Sequence, residues 1–143
     1  MTPRQADGVK VARAIPSDDA TAGRHLAGWR VLVVEDEFFI ADDLAEALRA
    51  HGAEVIGPVP RLHEAMAMIA AGGPIDLAVL DVNLDGHAAF PAGDALLARD
   101  IPFLFATGYE RDFLPTRFRK IPYWEKPFDP RSLVNALSRL TVS

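Results

Sequence analysis

The chain has 143 residues, half of them hydrophobic, and a formal net charge of −5. That length and apolar content suit one domain with a full core, and the acidic balance argues against a dominant nucleic-acid surface, which is normally basic. With no cysteine in the chain, disulfides, zinc–thiolate sites and cysteine nucleophiles are excluded. No secretory h-region opens it and no apolar run nears the ~18 residues of a membrane span, so a cytoplasmic protein is expected.

Residues 1–28 mix Pro, Asp, Arg, Gly and Thr without sustained periodicity and read as a flexible N-terminal arm. The domain is expected over 29–143. Arg30 to Val34 is a short β-branched run that reads as a strand buried on both faces. Ile40, Ala41, Leu44, Ala45 and Leu48 repeat at helical spacing, with Gly52 as a stop. Ala53 to Ile56 reads as a second strand, ended by Gly57-Pro58 and Pro60. A second helical stripe, Leu62, Ala65, Met66 and Ile69, is closed by Gly72-Gly73-Pro74. Leu77 to Leu80 is a third strand, Pro91 to Leu97 a helix, and Pro102 to Ala106 a fourth strand.

From Glu110 to Arg119 the apolar spacing is poor and Pro115 interrupts it, so a shortened or irregular helix is expected there. Ile121 to Trp124 reads as the fifth strand, and Leu133, Val134, Leu137 and Leu140 give a last amphipathic helix. Strands alternating with helices at this spacing imply an α/β fold with a parallel sheet and right-handed crossovers.

Three polar groups stand at the ends of apolar strands: Glu35-Asp36, Asp81 and Lys126. In a parallel sheet, strand C-terminal ends gather on one edge, where such folds bind ligands. Carboxylates crowded there repel one another unless a cation joins them. Mg²⁺ suits them, because it takes oxygen ligands from one or two carboxylates plus phosphate oxygens. Taken alone, Glu35-Asp36 reads equally well as a helix cap.

Asp81 is the best reacting group, since a carboxylate can attack phosphorus and form an acyl phosphate. A metal and Lys126 would share the charge on the transferred oxygens. Lys126 precedes Pro127, a candidate cis bond, and Thr107 ends the fourth strand with a hydroxyl in reach of a phosphoryl oxygen. His25, His51, His63 and His87 show no metal-ligand spacing. No Gly-rich phosphate loop or Gly-x-Ser-x-Gly elbow is present.

From Trp29 to Leu140 this pattern resembles the receiver domain of two-component response regulators: Glu35-Asp36, Asp81, Thr107 and Lys126-Pro127 in order on successive strands. The resemblance implies a flavodoxin-like, doubly wound five-stranded parallel sheet in order 2-1-3-4-5. It implies that Asp81 takes a phosphoryl group from a kinase histidine. Mg²⁺ would be held by Asp36, Asp81 and the Asn83 main-chain carbonyl, with Glu35 acting through water or hydrogen bonds. Glu35 stands where Asp is most common in the family.

Phe105-Ala106-Thr107-Gly108-Tyr109 is similar to a Phe-Ala-Thr-Gly-x receiver subgroup, whose members often stand alone and are linked to HWE-type and related sensor kinases. Tyr123, three residues before Lys126, occupies the switch-aromatic position. Asn83 and Tyr109 occupy positions that tune the lifetime of the phosphoryl group. The Pro115-interrupted segment departs from the usual output surface, and Gly108 to Arg119 is a candidate order–disorder switch.

With Leu140 almost at the end of the sequence, a stand-alone receiver is expected, not a metabolic enzyme. It would act through protein–protein contact or relay and drain phosphoryl groups. Two rivals are a phosphorylation-independent interaction module and an aspartyl-phosphate phosphohydrolase. The latter typically has an acid where Asn83 stands.

Overall fold

The computed structural model describes residues 26–108 and 114–140. The elements are β1 (Arg30–Val34), α1 (Phe38–Ala50), β2 (Glu54–Val59), α2 (Leu62–Ala70), β3 (Leu77–Leu80), β4 (Asn83–Leu84), β5 (His87–Ala88), α3 (Phe90–Ala98), β6 (Phe103–Thr107), a 3-10 turn (Thr116–Phe118), β7 (Tyr123–Glu125) and α4 (Pro130–Arg139). Five strands form a parallel sheet in order β2-β1-β3-β6-β7. This is the expected 2-1-3-4-5 order once the small β4–β5 hairpin is set aside. None of the described helices is long and apolar enough to cross a membrane.

Alternation along the strands explains the two-sided core. Leu32, Val34, Ala78, Leu80, Phe103 and Phe105 pack on one face against Ala65 and Ile69 of α2 and Ala92 and Leu96 of α3. The residues between them, Val31, Val33, Leu77, Val79, Leu104 and Ala106, pack on the other face against α1 and α4 through Leu44, Leu48, Leu133, Val134 and Leu137. Successive side chains of a strand point to opposite faces, so strands covered by helices on both sides need apolar residues at every position.

Local chemistry sets the helix ends. Gly52 leaves α1 with φ +90, and a Cβ there would lie 3.0 Å from Ala27 Cα. Asp129 caps α4 by accepting from Ser132 N at 3.0 Å, with Pro130 at the first helical position. Leu26, within the stretch read as an arm, is fully buried in the α1–α4 core and donates its amide to His51 O at 2.9 Å. Residues 1–25 lie outside the described residues.

Several strand boundaries and one small hairpin differ from the sequence reading. β2 does not stop at Ile56 but runs to Val59, because on an edge strand a proline costs no ladder bond that another strand needs. The register breaks between Leu32 and Val34, and the Gly57–Pro58 bond is cis. β7 starts at Tyr123 rather than Ile121, and β6 extends to Thr107. The unforeseen β4–β5 hairpin turns at Asp85-Gly86 with φ 51 and 85, as a two-residue turn with positive φ at both positions requires.

Between β6 and β7 the described residues hold only the 3-10 turn, which starts directly after Pro115. This fits the expected shortened or irregular fourth helix. The turn is fixed by Phe118, which is fully buried with ring centroids 5.3 Å from Phe105, 5.7 Å from Phe90 and 6.4 Å from Phe103. Arg117 adds a two-pronged ion pair to Asp94, at 2.8 and 3.0 Å.

Candidate phosphoryl and metal site

The sheet register places the site. Pairing of Val34 with Leu80 and of Leu80 with Phe105 is continued past β3 by Asp81 N donating to Val34 O at 2.9 Å. Asp81 therefore leaves the sheet beside Glu35. Pairing of Thr107 with Glu125 is continued by Lys126 N donating to Thr107 O at 2.8 Å, which sets Lys126 beside Thr107. The Lys126–Pro127 bond is cis.

Lys126 is the hub. Its Nζ lies 2.9 Å from Asp81 Oδ2, 2.9 Å from Glu35 Oε1 and 3.1 Å from Glu37 Oε1. Asp81 Oδ1 accepts from Asn83 N at 3.2 Å. Glu35 Oε2 accepts from Glu37 N at 3.0 Å, and Asp36 Oδ2 accepts from Asp85 N at 2.9 Å. Asp36, Glu37, Asp81, Asn83, Asp85, Gly86, Thr107, Gly108 and Lys126 line an open cavity of about 520 Å³. Glu35 is buried beside Lys126.

Burial dominates the electrostatics. It pushes the Glu35 carboxyl up to about 7, against the Lys126 hydrogen bond and with help from the neighbouring Asp81 charge. Burial raises Asp81 as well, again opposed by Lys126. For Lys126, burial alone would favour the neutral amine, but the bonds to Glu35 and Asp81 outweigh it and hold the ammonium above its ordinary range. One cation shared between two buried carboxylates is over-stabilised, while each carboxylate is under-compensated.

One carboxylate oxygen each from Glu35, Asp36 and Asp81 lies within 4.8 Å of the others. Three hard oxygen donors with excess negative charge fit a small divalent cation such as Mg²⁺. A second acidic group, Asp42, Asp43 and Glu46, is exposed on α1 and belongs to its solvated face.

All the site residues expected at strand ends, Glu35, Asp36, Asp81, Asn83, Thr107 and Lys126, meet at this edge. Tyr123 is half-buried in β7 and packs against the α2–α3 core. Tyr109 lies outside the described residues. Two participants were given no role from the sequence. Glu37 binds Lys126, and the only signal for it was a third acid after Glu35-Asp36. The amide of Asp85 holds Asp36, and the Asp85-Gly86 pair was a legible hairpin turn.

No family model matches the chain. Over 126 residues it is 32% identical to the transcriptional regulatory protein PdtaR of Mycobacterium tuberculosis, covering 85% of this chain and 60% of PdtaR. The chain thus spans less than two thirds of that curated relative. Among solved structures it is similar to SdrG from Sphingomonas melonis Fr1, with a TM-score of 0.69 at 41% identity over 82% of this chain and 98% of SdrG. The BeF3-activated conformation of SdrG gives 0.66 at 43% identity, over 81% and 98%. The receiver domain of the hybrid histidine kinase CckA gives 0.65 at 27% identity, over 78% and 98%.

Proposed function

Because the chain belongs to the receiver-domain family of two-component response regulators, we propose that it accepts a phosphoryl group on Asp81 from the phosphohistidine of a sensor kinase. The kinase is of the HWE or a related type, and Asp36, Asp81 and the Asn83 main-chain carbonyl would hold Mg²⁺. The observation that carries this reading is the meeting of Asp81, Lys126, Thr107 and the acidic group in one open cavity at the sheet edge.

The Asp81 carboxylate attacks phosphorus, and the P–N bond of the phosphohistidine breaks with its electron pair left on the imidazole. Lys126 keeps Asp81 ionised against its burial and supplies ammonium protons to the incoming oxygens. Asp36 is pre-oriented by the Asp85 amide, which leaves its other oxygen for the metal. A divalent cation held there would supply positive charge to offset that on the transferred phosphoryl oxygens. Thr107 takes a phosphoryl oxygen once the group is in place, and Tyr123 reports its shift to the surface. Asn83 and Tyr109 set how long the acyl phosphate lasts.

Phe38 and Phe39 begin α1 directly beyond the acids and are 72% and 79% exposed, with rings 5.4 Å apart edge to face. Exposed apolar rings directly after the acids in the chain support docking of a protein donor rather than a metabolite. The signal then leaves by protein–protein contact, or the protein relays and drains phosphoryl groups, in the cytoplasm.

Incubation with a panel of purified, autophosphorylated histidine kinases tests this reading. Label is expected to move from an HWE-type kinase to the wild-type protein within seconds, and not to Asp81→Asn. Label reaching both proteins equally, or neither with any kinase, contradicts it.

A further inference from the structure

Lys126 has three ammonium protons, and the structure gives each a carboxylate: Glu35 at 3.0 Å, Asp81 at 2.9 Å and Glu37 at 3.1 Å. The first two partners are buried. Glu37 is different: its side chain is 60% exposed. It also sits at the N-cap position of α1 without capping the helix through its side chain. A residue there ordinarily turns its side chain onto the first free amides of the helix. Glu37 instead reaches back across the cavity mouth to the lysine.

A lysine with all three protons engaged has none for a phosphoryl oxygen, so one bond must open when the group arrives. Releasing Glu35 would strand a buried charge, which is costly. Releasing Glu37 returns an exposed carboxylate to water, where such a pair is worth little. We infer that Glu37 is a positioning residue that holds the third Lys126 proton in the resting site and yields it to the phosphoryl group on Asp81. The inference rests on the phosphoacceptor reading above, and it adds a resting-state brake to that reading.

Glu37→Ala and Glu37→Asp separate this role from a charge effect. Alanine removes contact and charge, whereas aspartate keeps the charge but falls short of a lysine already at 3.1 Å. Because Glu37 engages Lys126 only before transfer, both variants should speed labelling by acetyl phosphate at saturating Mg²⁺ roughly two- to fivefold, the ceiling for an exposed ion pair. Decay of the acyl phosphate after donor removal should stay within about twofold of wild type.

The second readout needs neither metal nor donor. In metal-free protein labelled with ¹⁵N-lysine, the Lys126 ammonium signal should persist near neutral pH in wild type and broaden in both variants. An unchanged ammonium signal overturns the inference, as does equal movement of labelling and decay or wild-type behaviour of Glu37→Asp. If the ammonium signal responds but wild type takes no label, the contact stands and the phosphoacceptor reading fails.

Discussion

Lys126 Nζ stands 2.9 Å from Asp81 Oδ2, so the group assigned to attack phosphorus starts in an ion pair. The pairing has a chemical consequence. Burial raises the Asp81 carboxyl, and the lysine is the main influence opposing protonation. A protonated Asp81 would have no lone pair of sufficient strength to form the acyl phosphate. The same contact therefore holds the fold's edge together and keeps the reactive group ionised.

Replacing the lysine exposes both effects. Lys126→Met leaves Glu35 and Asp81 buried without their shared cation, and urea unfolding at pH 8 should show a loss of about 3 kcal/mol, as for a broken buried pair. The loss should shrink at pH 5, where a protonated Glu35 needs no counter-charge. An unchanged midpoint at pH 8 would show that the ion pairs contribute nothing to the fold.

Glu35 gives the metal-free protein a pH dependence whose sign follows from its raised value. Its carboxyl titrates near 7 in the folded chain against 4.5 as the ordinary value, so between those values the folded state binds more protons. Stability from this group is full below about 4.5 and is lost as pH rises to 7, up to about 3 kcal/mol in all. Glu35→Gln removes the titration. Its stability relative to wild type, measured in EDTA, should grow from pH 5 to pH 8. Parallel profiles for the two proteins would contradict the assignment.

Asp36 has one oxygen on the Asp85 amide and is the most accessible of the three acids. Asp36→Asn keeps the shape but removes the charge, and calorimetry should show Mg²⁺ affinity falling roughly tenfold or more. Mg²⁺ should raise the wild-type melting temperature, and EDTA should reverse the gain. Equal Mg²⁺ affinity in the variant would remove Asp36 from the ligand set.

Gly93 and Phe118 form a packing pair that anchors the 3-10 turn before β7. A Cβ on Gly93 would lie 3.0 Å from Phe118 Cε1 and Cζ, so Gly93→Ala must displace a fully buried ring. A cost of about 1–3 kcal/mol is expected from such overpacking, and about 4 kcal/mol for Phe118→Ala, both read from chemical denaturation. A neutral Phe118→Ala would mean that this turn is not anchored through its ring.

Much of this was written in the strands. The runs before Glu35, Asp81 and Thr107 are apolar at every position, which is the mark of strands covered on both faces, and a parallel sheet then gathers their ends. Less legible was what depends on tertiary approach. Nothing in the sequence sets Glu37 apart, because its reach to Lys126 depends on β7 lying beyond β3 and β6. Leu26 looked like arm, since its burial needs α1 and α4 already in place. Gly57-Pro58 read as a strand end because edge position, where proline is tolerated, is not visible before the sheet order is known.

The most direct test of the central claim is intact-protein mass after incubation with acetyl phosphate, with and without Mg²⁺, beside an Asp81→Asn control. We expect a Mg²⁺-dependent gain of a single phosphate in wild type and none in the control. The same gain in Asp81→Asn, or none in wild type with Mg²⁺ present, would contradict the assignment of Asp81 as phosphoacceptor.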